Sequence, residues 1–453
     1  MSLVPGAPSP KVSATLSLTL LVLINLFNYI DRQVLAAVEP EIRADLLPDD
    51  SKDQNQAASS KEVDAEESEY AKFWMGLLAT AFLMSYMLIA PLFGMMADRW
   101  SRWGLVGFGV ILWSLASGGS GLEWVRWGLS VGTAYWLLLL TRCFVGVGEA
   151  AYGPVAPAMI ADLYPVEKRG KVMAWFYLAI PVGGALGYAL GEAVKNWINW
   201  HYAFYCVVPP GLALGIWCFC MREPPRGQTD PSVAVATRKP GLGDYLFLLK
   251  IPSYAFNTLG MTMMTFAIGG LAFWMPAYLK QTEAPSVGPL GPRTVFGALT
   301  AIAGLISTLA GGMMGDWLRP RFSGSYFLVS GAALILGFPM LLCVLYTGYP
   351  TKWVFIFLTV FLLFFNTGPT NTILANVTHP SMRASAFALN ILIIHAFGDA
   401  ISPNIIGLIS GKKELDLGFI VVSITMLIGG VFWLCGAKYL QRDTEQAPTR
   451  LPV

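Results

Sequence analysis

Charge is what this sequence has least of. Asp, Glu, Lys and Arg make up 13% of its 453 residues, against ~25% in an average soluble domain, so water is not its main solvent. Neither sign dominates. A net charge of +2 leaves no basic excess for a nucleic-acid partner, which needs a positive patch or stripe. There are three histidines, His201, His379 and His395, far apart in the chain, so no metal centre is expected. The six cysteines, Cys143, Cys206, Cys218, Cys220, Cys343 and Cys435, all fall in apolar stretches and read as packing residues rather than a secreted disulfide framework. The sequence also lacks a Gly-x-Ser-x-Gly elbow and a His-Glu-x-x-His helix, and Gly407-Leu-Ile-Ser-Gly411-Lys412 has the wrong spacing for a phosphate loop. Those absences argue against an integral-membrane enzyme and against ATP use, and no cofactor is expected.

What fills the chain instead is apolar: 55% hydrophobic residues. Runs long enough to cross a bilayer as helices cover roughly 15–38, 73–97, 104–122, 131–163, 172–194, 202–220, 253–279, 294–315, 325–346, 353–378, 385–409 and 417–437. The first lacks a cleavage site and reads as a retained span. The polar break from Met221 to Lys250, with Pro224, Pro225, Pro240 and five basic residues, separates them six and six. This predicts an all-α integral membrane protein with bundles at 1–220 and 251–453 joined by a linker at 221–250. With the N-terminus inside, seventeen of the thirty Lys and Arg residues fall in inside segments and eleven outside, which places both termini and the linker in the cytoplasm. The loop from Glu39 to Lys72 is acidic and expected to be solvated and flexible, without a catalytic role. Trp100, Trp103, Trp197, Trp200 and Tyr202 are expected in the aromatic belts at the two membrane faces.

The two sets of six spans repeat one another. Gly94-Met-Met-Ala-Asp98-Arg99-Trp-Ser-Arg102, after the second span, returns after the eighth as Gly312-Met-Met-Gly-Asp316-Trp-Leu-Arg319. At nearly the same offset Gly153-Pro154, Pro165 and Gly183 return as Gly368-Pro369, Pro380 and Gly398. Parallel six-helix repeats follow. The run at 94–102 and the run Arg142-x-x-x-Gly146-x-Gly148-x-Ala150 resemble the loop and fourth-span signatures of the major facilitator superfamily. That resemblance implies two pseudo-symmetric six-helix bundles working by alternating access. It also implies a conformational latch of Gly94, Asp98, Arg99 and Arg102, with Asp162 as partner of Arg99 or Arg102. In the second copy Trp317 and Pro320 replace arginines, so a symmetric latch is not expected. Pro181 to Gly191 is only loosely similar to the antiporter signature, and its glycine spacing is explained by close helix packing. Asn28-Tyr29-Ile30-Asp31-Arg32, Glu41-Ile42-Arg43-Ala44-Asp45-Leu46 and Gly146-Val147-Gly148-Glu149-Ala150 resemble the spinster branch in its bacterial form. This implies an inner-membrane protein, monomeric among membrane lipids, with an amphipathic anionic lipid as one substrate class.

An ionisable side chain within a span costs ~2.5–3.5 kcal/mol on insertion scales, so each one asks for a partner or a task. Asp31, Arg32, Arg142 and Glu149 are the candidates for a substrate and proton pathway. Counting at ~1.5 Å per residue puts Asp31 and Arg142 about 15 Å below the outer surface, where they are expected to meet. Arg142 and Glu149, seven apart, share one helix face. Asp31 or Glu149 is the expected proton carrier, held ionised by Arg142; Arg32 is free to take an anionic head group or to pair with Glu149. The equivalents of Arg142 and Glu149 in the second half are Phe357 and Phe364. His395 and Asp399 share a face there, either as a titrating pair or as packing. Met261, Met263, Met264, Phe266, Phe273 and Trp274 are candidates to line an acyl-chain route, and some of Asn366, Asn371, Asn376 and Asn390 should face the cavity.

The reading that fits is a secondary transporter, proton-coupled, for a lipid-like anion. A facilitator of a polar metabolite or drug without proton coupling is the alternative. A channel fits a paired repeat with a latch less well.

Overall fold

The helices begin where the sequence supplies caps. Ser13, Ser101 and Ser130 each accept a hydrogen bond from the backbone N–H three residues on, at 3.2 Å, satisfying one of the orphan donors of the first turn. In the computed structural model, which describes residues 13–46, 60–125, 127–230, 242–288, 290–410 and 415–450, there is no strand among the described residues. Among the described residues twelve helices are long and apolar enough to cross a membrane: α1 Ala14–Ala37, α2 Trp74–Arg99, α3 Arg102–Ser120, α4 Val131–Leu163, α5 Val166–Trp197, α6 Trp200–Phe219, α7 Pro252–Gln281, α8 Pro292–Leu318, α9 Ser325–Tyr346, α10 Thr351–Val377, α11 Pro380–Ser410 and α12 Asp416–Thr449. They match the twelve expected runs.

Helix pairing repeats between the halves. α1 packs on α5 as α7 does on α11, α3 on α6 as α9 on α12, and α2 on α4 as α8 on α10. Across the halves the repeat becomes an exchange, α2 against α11 and α8 against α5. The paired glycines permit that approach: a Cβ on Gly94 would lie 3.0 Å from Ala384 O, and one on Gly312 would lie 2.6 Å from Gly170 O. Backbone cannot yield there.

Three expectations need correction. Part of the acidic loop is ordered: Glu39–Leu46 is a helix that buries Ile42 and Leu46, with Asp45 accepting a 2.6 Å bond from Trp200 Nε1. Trp200 and Trp103 are therefore core residues rather than belt anchors; Trp103 is buried and donates to Arg222 O at 3.2 Å, whereas Trp100, Trp197 and Tyr202 are exposed. The cysteines are not uniformly internal, since Cys218 is buried while Cys206, Cys220 and Cys435 lie on the exposed face. The N-terminal tail up to Lys11, the centre of the acidic loop and linker residues 231–241 lie outside the described residues.

Candidate functional site

All four charges predicted within the spans are found among the helices of the first half; of the pairings expected, Arg32 with Glu149 forms, whereas Asp31 and Arg142 do not meet directly. Arg32 Nε donates to Glu149 Oε2 at 2.7 Å and Nη2 makes a second, shorter contact with the same oxygen. The guanidinium lies 4.9–5.4 Å from the ring centroids of Phe82, Tyr29 and Tyr86, an aromatic seat for a cation. Asp31 accepts from Ser117 Oγ, and Arg142 donates to Ser120 Oγ at 2.8 Å. Ser117 and Ser120 are one turn apart on α3. Asp31, Arg142 and Glu149 are each no more than 2% exposed, whereas the Arg32 side chain keeps 25%.

Arg142 thus pairs directly with neither carboxylate, and the ion pair of the cluster is Arg32–Glu149. Helical side chains lean toward their own N-terminus. α1 and α4 run in opposite directions through the protein, so Arg32 leans toward the linker end and Glu149 away from it, and the two converge. Arg142 leans away from the linker end and finds α3 and the Phe204 ring of α6, 5.5 Å distant.

The second half meets this cluster through a histidine–aspartate pair. His395 Nδ1 lies 2.9 Å from Asp399 in a π-helical turn that interrupts α11, and its ring is 5.6 Å from that of Tyr86. Tyr177 on α5 donates to Asn371 Oδ1 at 2.9 Å. The residues expected to line an acyl-chain route in α7 are not all turned to one cavity. Met261 is buried as an acceptor for Asn257 and Asn390, Phe273 is 61% exposed, and Trp274 is tied to Pro403 O at 2.9 Å.

At the linker end the halves are sewn together. Asp162, fully buried, accepts from Arg102, from Arg383 Nη1 at 2.6 Å and from Gly227 N at 2.9 Å. Of the two expected partners it is therefore Arg102 that reaches Asp162; Arg99 is exposed and lies beside Tyr245. Arg169 donates to Asn376 Oδ1 at 2.9 Å, so Arg169 and Arg383, which hold equivalent places in the two repeats, each reach the end of α10 or α4 in the opposite half. Asp230 of the linker holds both arginines, at 2.6 Å each. Burial pushes its carboxyl up, but Arg383 and Arg169 outweigh that and hold it below the ordinary carboxylate range.

The two signature aspartates also exchange. Asp98 accepts from Ser385 N at 3.2 Å, and Asp316 accepts from Lys171 N at 2.8 Å. Each carboxylate caps the first turn of a helical segment in the other half, where orphan N–H groups and the helix dipole favour negative charge. The loss of arginines from the second copy does not remove this contact, so the aspartates are symmetric where the sequence suggested asymmetry. Arg169, Arg383 and Asp230 were missed by sequence reasoning. The recurrence of the two arginines at the repeat offset was the available signal; for Asp230 there was none, since a lone acid in a proline-rich linker looks solvated.

The chain matches the family model described as Major Facilitator Superfamily over residues 21–403. It is 32% identical to Protein spinster homolog 1 of Homo sapiens, across 97% of this chain and 83% of that one. It is 31% identical to the Sphingosine-1-phosphate transporter SPNS2 of Danio rerio, across 93% and 84%. Among solved structures it resembles a bacterial homolog to the human lysosomal transporter Spinster in an inward-facing, unoccupied conformation, with a TM-score of 0.57 and 21% identity over 96% of this chain and 98% of that one.

Proposed function

Because the chain belongs to the Major Facilitator Superfamily and to its spinster branch, and is thus a multi-pass membrane transporter, we propose that it moves an amphipathic anionic lipid by proton-coupled alternating access. The substrate class is a lysophospholipid or sphingoid phosphate. In this reading the bundles at 1–220 and 251–453 rock about the linker at 221–250, the linker end faces the cytoplasm, and Gly94, Asp98, Arg99, Arg102 and Asp162 belong to the latch that shuts that end.

The Arg32–Glu149 pair carries the reading. A guanidinium within the membrane, ringed by aromatics and partly exposed, suits a phosphate or carboxylate head group by bidentate contact. Ionised Glu149 competes with that head group for Arg32. Protonating Glu149 frees the guanidinium, and anion binding in turn favours protonation, which is the reciprocal linkage that coupling requires. Asp31 and Arg142, joined to α3 through Ser117 and Ser120, hold the second protonatable carboxylate close by. The name of the zebrafish relative supports the lipid phosphate class.

The test is uptake of fluorescent sphingosine 1-phosphate into proteoliposomes under an imposed pH gradient. Arg32→Ala should lower uptake by at least about tenfold, the scale of one charged hydrogen bond at ~1.5–3 kcal/mol. Glu149→Gln and Asp31→Asn should remove the response to the gradient while sparing membrane insertion. Full gradient-driven uptake in both carboxylate variants would refute the coupling, and gradient-independent flux in the unaltered protein would make it a facilitator.

A further inference from the structure

Away from the interface between the halves, a cavity of about 510 Å³ opens at the end of the first bundle opposite the linker. All its lining residues come from the first six spans and their loops, among them Asp45, Glu123, His201, Leu122 and Ser120. Its floor is the informative part. Ser120 Oγ accepts from Arg142 and lies 2.8 Å from Thr141 Oγ1. One turn along α3, on the same face, Ser117 donates to Asp31. Arg142 Nε and Asp31 Oδ2, both buried, have no hydrogen-bond partner among the described residues, which marks the polar gap between these groups as one that water would fill.

We propose that this cavity is a proton access route, separate from the path taken by the lipid: water entering past Asp45, Glu123 and His201 reaches Ser120, and the proton passes by way of Ser117 and bridging water to Asp31. The balance is simple. One proton from bulk water arrives at the Asp31 carboxylate, and the same proton leaves when the carboxylate ionises again. The charged and titratable groups around Asp31 are Arg142 from α4 and Arg32 beside it on α1, with Glu149 from α4 and Tyr29 from α1 further along the cluster. The rim adds His201 from α6, Asp45 from the short helix after α1, and Glu123 from the loop after α3. A lipid head group at Arg32 therefore does not obstruct the proton. Two routes into one cluster let binding and protonation occur in either order.

This rests on the proton-coupled reading above, and the experiment separates the two. Full-length protein in proteoliposomes is tested with fluorescent sphingosine 1-phosphate in two arms, uptake driven by a pH gradient and exchange at equal pH on both sides. Leu122→Trp fills the cavity with bulk, and Ser120→Ala removes the floor hydroxyl. Leu122→Trp should lower gradient-driven uptake at least about tenfold and leave exchange within about twofold; Ser120→Ala should lower gradient-driven uptake to a similar degree. Should Leu122→Trp lose exchange as well, its fold is damaged and Ser120→Ala, a single-oxygen change, becomes the deciding variant. Gradient-driven uptake that survives Ser120→Ala overturns the route alone. An unaltered protein indifferent to the gradient overturns the coupling beneath it.

Discussion

At the linker end, Asp98 of the first half accepts from Ser385 of the second, and Asp316 of the second accepts from Lys171 of the first. Lys171 follows Arg169 at the same spacing as Ser385 follows Arg383, so both pairs hold equivalent places in the repeat. In the middle of the membrane no such correspondence exists. Arg142 and Glu149 of α4 are buried and hydrogen-bonded, while Phe357 and Phe364 of α10 take the equivalent places. The repeat is kept where the two bundles must close on one another, because each closing contact needs a counterpart of the same shape. It is given up where charge is held in the membrane: one cluster suffices for the anion and proton proposed above, and a second would carry the insertion cost again.

Four tests probe this contrast, in decreasing order of expected effect. Asp162→Asn leaves Arg102 and Arg383 buried without the carboxylate they share, a loss on the scale of ~3–5 kcal/mol for a broken buried pair. The linker end should open, seen as faster labelling of a cysteine introduced there by a water-soluble reagent; unchanged labelling would remove Asp162 from the closing contacts. Asp98→Asn and Asp316→Asn each weaken one helix cap, worth ~0.5–2 kcal/mol. The two should increase labelling by similar factors, and a response to Asp98→Asn alone would break the symmetry claimed for the linker end.

Acidification gives the third test. With its carboxyl held below the ordinary range by Arg383 and Arg169, Asp230 stabilises the closed end fully above the ordinary carboxylate pKa. That contribution is lost as pH falls through the lowered value. Closure of the linker end should therefore be flat from neutral pH down to about pH 5 in this respect, and Asp230→Asn should weaken it at neutral pH; a midpoint near neutrality traceable to Asp230 would contradict its pairing. The smallest effect is expected from Trp317→Arg, which restores the first arginine of the signature to the second copy. Trp317 is 63% exposed, and an exposed ion pair there adds ~0–1 kcal/mol, so labelling should change by less than about threefold.

Most of the fold could be read from the sequence. Hydropathy located all twelve spans, and the nearly constant offset between repeated motifs revealed the two halves. The four membrane charges were also legible, since a charged residue in an apolar run stands out on its own. Their partnering was not. Depth counting brought Asp31 and Arg142 to one level, but it took no account of which way the side chains lean, so it expected those two to meet and left Arg32 open between a head group and Glu149. Arg169, Arg383 and Asp230 escaped notice because a basic residue at a span end already has a sufficient explanation in membrane topology, and an acidic one in a linker needs none.

The sequence by itself determined that this protein lives in a bilayer, that it crosses twelve times in two related sets, and that the strongest charges within its spans gather in the first set. These are properties of windows of about 20 residues or of simple repetition, and they need no knowledge of what touches what. Only the tertiary structure decided that Arg32 answers Glu149 across 117 residues, that Ser117 and Ser120 stand between Asp31 and Arg142, and that a linker aspartate clasps one arginine from each half. Such pairings depend on the rotation and direction of neighbouring helices, which hydropathy and spacing do not encode.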